Sequence, residues 1–401
     1  MCNGTIMDKL ISFSIPLMLS GILQLMFNAV DIVVVGRFSG SQALAAVGST
    51  TALINVFTNL FIGISLGANV LAARYYAAGK TKEMSETVHT AIALALVSGV
   101  AMAVIGVVFA RGALEIMGTP DDVIAKSTLY MRIYFCGMPF FMMYNYGAAI
   151  LRAVGDTKRP LIFLIVSGVI NAVLNLFLVI GFHLDVAGVG IATVISQLVS
   201  CILVLRCLHH TESSYQLHLA KLRIRSVYLK QIFEVGVPAG IQSTVINISN
   251  AMLQSSVNSF GAIAMAGYTA SNNIFGFLYV SVNSFTQACM SFTSQNYGVK
   301  KLKRMDRVLI DCMILSVVVT LILGSSVYIF GPELLHIYSN QADVIKYGME
   351  IFSYTTVTYF LCGLMDLFPG ALRGMGYSTV PMILSIIGTV GVRIIWIYGL
   401  F

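Results

Sequence analysis

Three polar side chains lie on one face of the first apolar segment, where they could carry chemistry. Gln24, Asn28 and Asp31 are spaced i, i+4 and i+7, which places them along one side of a helix. A carboxylate inside the hydrocarbon is costly, so it normally faces a protein interior or a water-filled cavity. Asp31 is therefore a candidate functional residue. The alternative is a structural carboxylate that a neighbouring helix end satisfies.

Further oxygen-bearing side chains lie at a similar depth in two later apolar segments. Asn171, Asn175 and Thr193 fall in the outer half of these segments, within about 6–15 Å of the membrane surface at about 1.5 Å per residue. One carboxylate, two amides and a hydroxyl can bind a proton or a small hard cation through oxygen atoms. We therefore expect Asp31, Asn171, Asn175 and Thr193 to form an ion-coupling site. Interhelical hydrogen bonding is the alternative for the two asparagines.

A second set of polar residues lies in the second half of the chain. Four residues of one segment, spaced i, i+4, i+7 and i+11, form an uncharged stripe that suits either a wide ligand cavity or helix–helix hydrogen bonding. Asp366 lies about 9 Å from the inner end of its segment, where a structural or gating role is as reasonable as ion coupling. The candidate cavity residues are Gln24, Asn28, Asn145, Ser243, Asn247, Asn250, Gln254 and Asp366.

Two other features are weaker candidates for chemistry. Arg393 lies in the last apolar segment, about 12 Å along the axis from Asp366, so a direct pair is not expected and extension towards the membrane surface is a reasonable alternative. Gly63, Ser65 and Gly67 match the G-x-S-x-G pattern of serine hydrolases, but such a serine needs a base within reach. We favour the alternative, a GxxxG helix-packing motif, and expect neither a catalytic residue nor a metal site.

The composition identifies the elements that must position these residues. The chain has 401 residues, of which 57% are hydrophobic and 10% charged, whereas a soluble protein has about 25% charged residues. Eleven apolar runs are long enough to cross a bilayer as helices, at about 10–35, 48–73, 87–110, 128–151, 160–181, 187–206, 231–257, 266–290, 307–330, 347–372 and 379–401. These runs predict an all-α integral membrane protein that needs no cofactor.

The positive charges predict the orientation of these spans. Most of the 24 lysines and arginines fall at the N-terminus and in the loops that share its side of the membrane, which predicts a cytoplasmic N-terminus. A cytoplasmic face next to anionic lipid also explains the net charge of +7. The expected partner is therefore the lipid bilayer, and no nucleic acid is expected.

One motif recurs 221 residues apart and predicts an internal repeat. Residues 151–155 (LRAVG), followed by Pro160, match residues 372–376 (LRGMG), followed by Pro381, and Asn145 then matches Asp366. We expect an N-terminal lobe of helices 1–6 over residues 1–207, a cytoplasmic linker at 208–230, and a C-terminal lobe of helices 7–11 over residues 231–401. A twelfth helix, the counterpart of the sixth, is absent from this chain, which we interpret as truncation.

The first apolar segment, the segment LRAVGDTKRP and the NAVLN sequence at 171–175 resemble the multidrug and toxic compound extrusion (MATE) family. The resemblance covers about residue 8 to 401 and is closest to the bacterial branch that resembles the DNA-damage-inducible efflux proteins. It implies two six-helix lobes with a central cavity. In that branch a first-span carboxylate works with polar residues on spans 5 and 6, which Asp31, Asn171 and Thr193 match. The family often has an aspartate where Asn175 stands.

The residues and the resemblance together favour a transporter. We expect an antiporter of the cytoplasmic membrane, a monomer, that exports amphipathic, often cationic, drug-like compounds against inflow of H⁺ or Na⁺. A flippase for lipid-linked sugars is the neighbouring alternative, which a cavity lined by many cationic residues would favour. An intramembrane hydrolase is a further alternative, and the lack of a base near Ser65 argues against it.

Overall fold

A computed structural model describes the backbone of residues 1–400, and this part of the chain is almost entirely helical. Its first half forms seven helices, the sixth of which continues into a π-helical turn at Phe177–Gly181. They are α1 (Ile6–Phe38), α2 (Ser41–Ala77), α3 (Thr81–Ile116), α4 (Asp121–Cys136), α5 (Met138–Ala153), α6 (Lys158–Leu176) and α7 (Asp185–His209).

The second half forms seven more helices after a linker with a single short 3₁₀ turn, Leu219–Lys221. They are α8 (Ser226–Asn258), α9 (Ala262–Gly298), α10 (Leu302–Ile329), α11 (Gly331–His336), α12 (Ala342–Met375), α13 (Thr379–Ser385) and α14 (Val392–Ile395). π-Helical segments lie between α13 and α14 and after α14. The all-α prediction is confirmed.

Eight continuous helical stretches among the described residues are long and apolar enough to cross a membrane, which identifies a multi-pass membrane protein. The last of them runs through α13, α14 and the adjoining π-helical segments. Three of the eleven predicted spans are not among them. The span predicted at 128–151 is broken into α4 and α5 at Gly137, and Pro139, in the first turn of α5, has no backbone N–H to donate to the end of α4. The spans predicted at 231–257 and 266–290 do form α8 and α9, of 33 and 37 residues, but amides such as Asn250 lower their apolar character.

The repeated LRxxG motif ends a helix in the same way at both of its occurrences. Gly155 follows α5 with φ 99°, and Gly376 follows α12 with φ 98°. This left-handed region favours glycine, which lets a chain leave a helix while its last carbonyls remain hydrogen-bonded. The amide of Gly155 donates to Arg152 O at 3.0 Å, and that of Gly376 donates to Arg373 O at 2.8 Å.

The helices divide into two compact units, and the boundaries fall inside α1 and α8. The N-terminal unit is Leu19–Gly240, and the C-terminal unit is Met1–Met18 together with the chain from Ile241 onwards. The core of the N-terminal unit includes the fully buried Phe135 and Tyr146, and Phe292 and Phe352 are fully buried in the C-terminal unit. The predicted lobe boundaries at 207 and 231 remain a prediction.

Small residues let α2 and the start of α8 approach closely within the N-terminal unit. A Cβ atom added to Gly236 would lie 2.5 Å from Ile64 Cα, and one added to Gly63 would overlap the backbone of Gly240. Such backbone contact is the packing that a small-xxx-small motif allows in membrane proteins. Gly63 and Gly67 thus act in helix packing.

Candidate functional site

A close approach between α1 and α6 positions Asp31. A Cβ atom on Gly168 would overlap the ring of Phe27, so the absent side chain of α6 makes room for the aromatic ring of α1. Asp31 follows Phe27 by one helical turn, and Asn175 follows Gly168 by two. The packing therefore brings a carboxylate of one helix to an amide of the other.

A chain of hydrogen bonds joins the four residues predicted to couple an ion. Asn175 Nδ2 donates to Asp31 Oδ1 and, at 3.2 Å, to Asn171 Oδ1. Asn171 Nδ2 in turn lies 3.5 Å from Thr193 Oγ1, whose hydroxyl donates to Val189 O at 2.9 Å. Asn175 is fully buried and Asn171 is 5% exposed. Three helices, α1, α6 and α7, thus meet at one connected set of polar atoms.

One atom of this set lacks a donor. Asn175 Oδ1 is buried and accepts no hydrogen bond from the described residues. A buried acceptor without a donor costs free energy, which a proton on a neighbouring group or a cation can recover. The carboxylate of Asp31 lies next to the same amide. The arrangement can therefore exchange one hydrogen-bond pattern for another when a proton or a cation binds.

This polar set borders a cavity of about 330 Å³ within the N-terminal unit. Six of the sequence candidates line it, and Asn175 lies directly behind Asp31. The six lining candidates are Gln24, Asn28, Asp31, Asn145, Asn171 and Thr193. The structure therefore brings together every candidate from the first half of the chain.

The cavity is also lined by residues that the sequence reasoning missed. Asn55 and Asn59 of α2 are spaced i and i+4, a polar pair inside an apolar run that could have identified this face. Tyr130 and Tyr134 of α4 are likewise one turn apart. Gln197 of α7 lies one turn after a predicted residue. The same i, i+4 argument that identified the α1 stripe would have found each of these.

The candidates of the second half lie in the C-terminal unit. Asn247 Nδ2 donates to the backbone carbonyl of Ser243 at 2.9 Å, a bond within α8. Asn250 Oδ1 accepts a 2.6 Å hydrogen bond from Arg393 Nη1. Arg393 therefore turns towards the uncharged α8 stripe rather than towards the membrane surface. Gln254 lies one turn further along the same helix.

Asp366 belongs to a different network of the C-terminal unit. It interacts electrostatically with Arg373 and with the hydroxyl of Tyr279. Arg373 Nη2 donates to Gln242 Oε1 at 2.5 Å, and Gln242 Nε2 donates to Ser385 Oγ at 2.8 Å. This network connects α8, α9, α12 and α13. It favours the structural or gating role for Asp366 that the sequence left open.

The hydrolase-like serine has a local partner. Ser65 is 1% exposed, and its hydroxyl donates to the Ile62 carbonyl of the same helix at 2.7 Å. The glycines on either side of it, Gly63 and Gly67, pack against α8. Serine hydroxyls inside helices commonly bond to carbonyls one turn earlier. The geometry of Ser65 is therefore that of a structural helix residue.

Comparison with known proteins gives consistent results across the chain. The MatE family model matches residues 16–177 and 238–398. The chain is 29% identical over 389 residues to the probable multidrug resistance protein YoeA of Bacillus subtilis, covering 95% of this chain and 84% of that protein. It is 23% identical to the multidrug export protein MepA of Staphylococcus saprophyticus, covering 100% of this chain and 89% of that protein.

Solved structures share the fold. An outward-facing MATE transporter of the MOP superfamily superposes with a TM-score of 0.92 at 20% identity, covering 99% of this chain and 89% of that one. A MOP superfamily transporter from Pyrococcus furiosus, described as having a binding pocket of reverse polarity, gives a TM-score of 0.91 at 22% identity with the same coverage. At these identities the likeness concerns the fold alone.

Proposed function

Because the chain belongs to the MATE family, whose members are transporters and not enzymes, we propose that it is a cation-coupled antiporter. It exports amphipathic, often cationic, compounds across the cytoplasmic membrane. The multidrug names of the Bacillus and Staphylococcus relatives support this substrate class. The observation that carries the coupling is the hydrogen-bond chain from Asp31 to Thr193 at the edge of the cavity.

The coupling step follows from the donors and acceptors around Asp31. In its ionised form Asp31 accepts the N–H of Asn175, whose own oxygen then has no donor. A protonated Asp31 offers an O–H that this oxygen can accept after a small rotation of either side chain. The two protonation states therefore prefer different arrangements of α1 and α6. Proton binding shifts the conformational equilibrium only by its differential affinity for these arrangements.

The cavity next to Asp31 suits a flat organic cation. Tyr130, Tyr134, Tyr144 and Phe141 line it, and aromatic faces attract organic cations. A negative Asp31 adds to this attraction, and its neutralisation removes it. Export then follows when proton entry from outside rearranges α1, α6 and α7 and releases the compound. The coupling ion is H⁺ or Na⁺.

Gradient-driven dye movement tests this function. A fluorescent organic cation is added to the medium around everted membrane vesicles that contain the protein, and H⁺ and Na⁺ gradients are imposed separately. We expect dye accumulation under one gradient, and its loss when an ionophore collapses that gradient. Vesicles without the protein give the baseline. Dye movement that is the same with and without both gradients would contradict a cation-coupled antiporter.

The orientation and assembly are part of the same proposal. The N-terminus and the linker at 208–230 lie in the cytoplasm, since the basic residues concentrate there. A cysteine introduced at Ser214 of the linker should resist a membrane-impermeant thiol reagent added to intact cells, whereas everted vesicles should label readily. One chain forms the functional unit, which the mass of the detergent-solubilised protein checks.

A further inference from the structure

Arg393 presents unused hydrogen-bond donors beside the polar stripe of α8. Its Nη1 donates to Asn250 Oδ1 at 2.6 Å and to Ser249 Oγ at 3.2 Å. A guanidinium has five N–H donors, and these two bonds use the pair on Nη1. Within the described part of the chain, the N–H groups on Nε and Nη2 have no acceptor. Nε and Nη2 together form one edge of the planar guanidinium.

The charge of Arg393 has no carboxylate to balance it among residues 1–400. The acid in the neighbouring network, Asp366, interacts with Arg373 instead. The groups within electrostatic reach of Arg393 are the Tyr268 hydroxyl and the Cys362 thiol, which are neutral. The ion pairs of the described residues lie elsewhere. An unbalanced charge in a membrane helix is costly and identifies a candidate functional residue.

The surroundings of Arg393 are accessible. Asn247 and Asn250 of α8 are exposed, and Arg393 is partly exposed. Polar and charged side chains that are exposed at membrane depth face a water-filled cavity rather than lipid. A dissolved ligand can therefore reach the free edge of the guanidinium.

We propose that Arg393 binds the carboxylate of anionic and zwitterionic amphipathic substrates. This inference rests on the export function proposed above and adds a substrate class to it. The Nε and Nη2 donors match the two oxygens of a carboxylate in a bidentate pair. Asn250 and Ser249 hold Nη1 in place, so less side-chain freedom is lost when the carboxylate binds.

Charge balance favours a carboxylate over a pyrophosphate. One guanidinium compensates one negative charge, which is the charge of a carboxylate. The pyrophosphate of a lipid-linked sugar carries at least two and would leave one uncompensated beside neutral Tyr268 and Cys362. Arg393 alone therefore does not make this unit a pyrophosphate site, and the flippase alternative gains no support from it.

A matched pair of dyes tests the inference. Tetramethylrhodamine is a zwitterion with a free carboxylate, and its methyl ester is a cation of nearly the same size and shape. We expect the wild-type protein to export both dyes. Arg393→Gln should lower efflux of the acid at least about tenfold, the value expected for a lost charged hydrogen bond, and leave ester efflux nearly unchanged. The readout is initial efflux rate at equal amounts of protein in the membrane.

Two further variants separate recognition from structure. Arg393→Lys keeps the charge without the planar fork, so acid efflux should fall to an intermediate rate. Arg111→Gln removes a guanidinium that is 68% exposed and paired with Glu115, and it should change neither dye. Equal losses of acid and ester efflux in Arg393→Gln would mean a structural role and overturn the inference, and so would unchanged acid efflux.

The wild-type result distinguishes this inference from the proposed function. Export of the ester without the acid would refute carboxylate recognition and leave the antiporter standing. Export of neither dye under either gradient would contradict the antiporter itself. The inference on anionic and zwitterionic substrates would then be refuted as well.

Discussion

The N-terminal unit places a carboxylate among amides, whereas the C-terminal unit places a guanidinium beside them. Asp31 accepts from Asn175, and Arg393 donates to Asn250. Each charged group has a neutral amide as its hydrogen-bond partner, so neither charge is cancelled. Amides can serve either sign because they both donate and accept. Each unit therefore keeps one charge available, and the two charges are opposite in sign.

The repeated motifs show where the two halves diverge. At the predicted offset of 221, Ala172 corresponds to Arg393 and Asn175 to Trp396. The LRxxG motif nevertheless ends α5 and α12 with the same backbone at Gly155 and Gly376. Helix ends are determined by local backbone requirements, while side chains inside a span are free to change with function. We infer that the halves retained their backbone pattern and exchanged their chemistry.

The largest effect should come from Asp31→Asn. The variant keeps the shape and the hydrogen-bonding amide partner but cannot titrate, so no proton can bind one conformation better than another. We expect normal amounts in the membrane and at least about a tenfold loss of gradient-driven dye efflux. Dye efflux from cells and dye uptake by everted vesicles measure this loss of transport.

Asp366→Asn is the matched control in the other unit. Its carboxylate interacts with Arg373 in the C-terminal unit and lies outside the cavity residues around Asp31. We expect it to lose less efflux than Asp31→Asn. Wild-type rates in Asp31→Asn together with a severe loss in Asp366→Asn would reverse the comparison and move the coupling site to the C-terminal unit.

A smaller effect should come from filling the gap that positions Asp31. In Gly168→Val the new side chain overlaps the Phe27 ring, so the ring must turn away or α1 must shift from α6, and a shift would separate Asp31 from Asn175. Overpacking of this kind costs about 1–3 kcal/mol. We expect a lower melting temperature and several-fold slower efflux.

The corresponding position of the C-terminal unit supplies the control. Thr389 occupies it, and its hydroxyl lies 3.9 Å from Met365 Sδ, so a side chain of this size is already accommodated. Thr389→Val should leave efflux and melting temperature close to wild type. Wild-type behaviour in Gly168→Val would show that the Phe27 ring makes room without separating the carboxylate from its amide.

The sequence predicted the Asp31 cluster because depth and helix periodicity are one-dimensional properties. Asp31, Asn171, Asn175 and Thr193 fall at similar heights along their spans, and height can be counted from the ends of apolar runs. Their meeting also requires α1 to approach α6. That approach depends on Gly168 opposite Phe27, a tertiary contact that periodicity cannot reveal. The role of the cluster in ion coupling remains a prediction.

Arg393 shows what sequence reasoning could not supply. Counting residues along the span correctly separated it from Asp366, but the direction of a long flexible side chain is determined by its neighbours. The hydrogen bond to Asn250 crosses between α14 and α8, which are far apart in sequence. The break at Gly137 was missed for a related reason, because apolar composition continues through it.

A double-variant cycle tests the charge pair of the C-terminal unit. Asp366→Asn leaves Arg373 without its counter-charge, and we expect a clear loss of thermal stability. Adding Arg373→Gln should recover part of it, with a coupling free energy on the order of 1 kcal/mol. The melting temperature of the purified protein measures each arm. Additive losses would show that the two side chains do not stabilise each other.

Asn145 and Arg152 provide the comparison in the N-terminal unit. They occupy the positions that correspond to Asp366 and Arg373, so this unit has an amide in place of the acid. Asn145 Nδ2 donates to the carbonyl of Phe141 at 2.8 Å, within its own helix. Asn145→Ala combined with Arg152→Gln should therefore show little coupling. Strong coupling there would mean that the two units use this pair in the same way.

The smallest expected effect concerns the linker and the N-terminal segment. They pack on the corresponding starts of α3 and α10 through different contacts. The linker docks on the start of α3, where Glu86 accepts from Arg223 at 2.5 Å and from Arg225 at 3.2 Å. His89 Nε2 accepts from the backbone N–H of His218 at 3.1 Å. Its Nδ1 lies 2.6 Å from a backbone carbonyl, so Nδ1 carries the proton and Nε2 must remain unprotonated.

The N-terminal segment docks on the start of α10 without a histidine. Lys301 Nζ donates to Cys2 O at 2.9 Å and to Asn3 Oδ1 at 2.8 Å, and Arg304 Nη2 donates to Gly4 O at 2.9 Å. Docking of the linker, which uses two histidines, should therefore depend on pH between about 5 and 8. Docking of the N-terminal segment uses no histidine side chain.

Hydrogen exchange at the His218 amide measures linker docking. Partial burial, and then electrostatic interactions with Lys221, His89 and His209, hold the pKa of His218 below its usual range. The undocked linker therefore binds a proton more readily than the docked one, and docking weakens as the pH falls below about 6.5. We expect the protection factor of this amide to fall several-fold between pH 7.5 and 5.5, after correction for intrinsic exchange.

His218→Ala keeps the backbone donor and should retain protection at pH 7.5, whereas His89→Phe removes the acceptor and should lose it at both pH values. Protection that is constant with pH in the wild type would mean that neither histidine controls the linker.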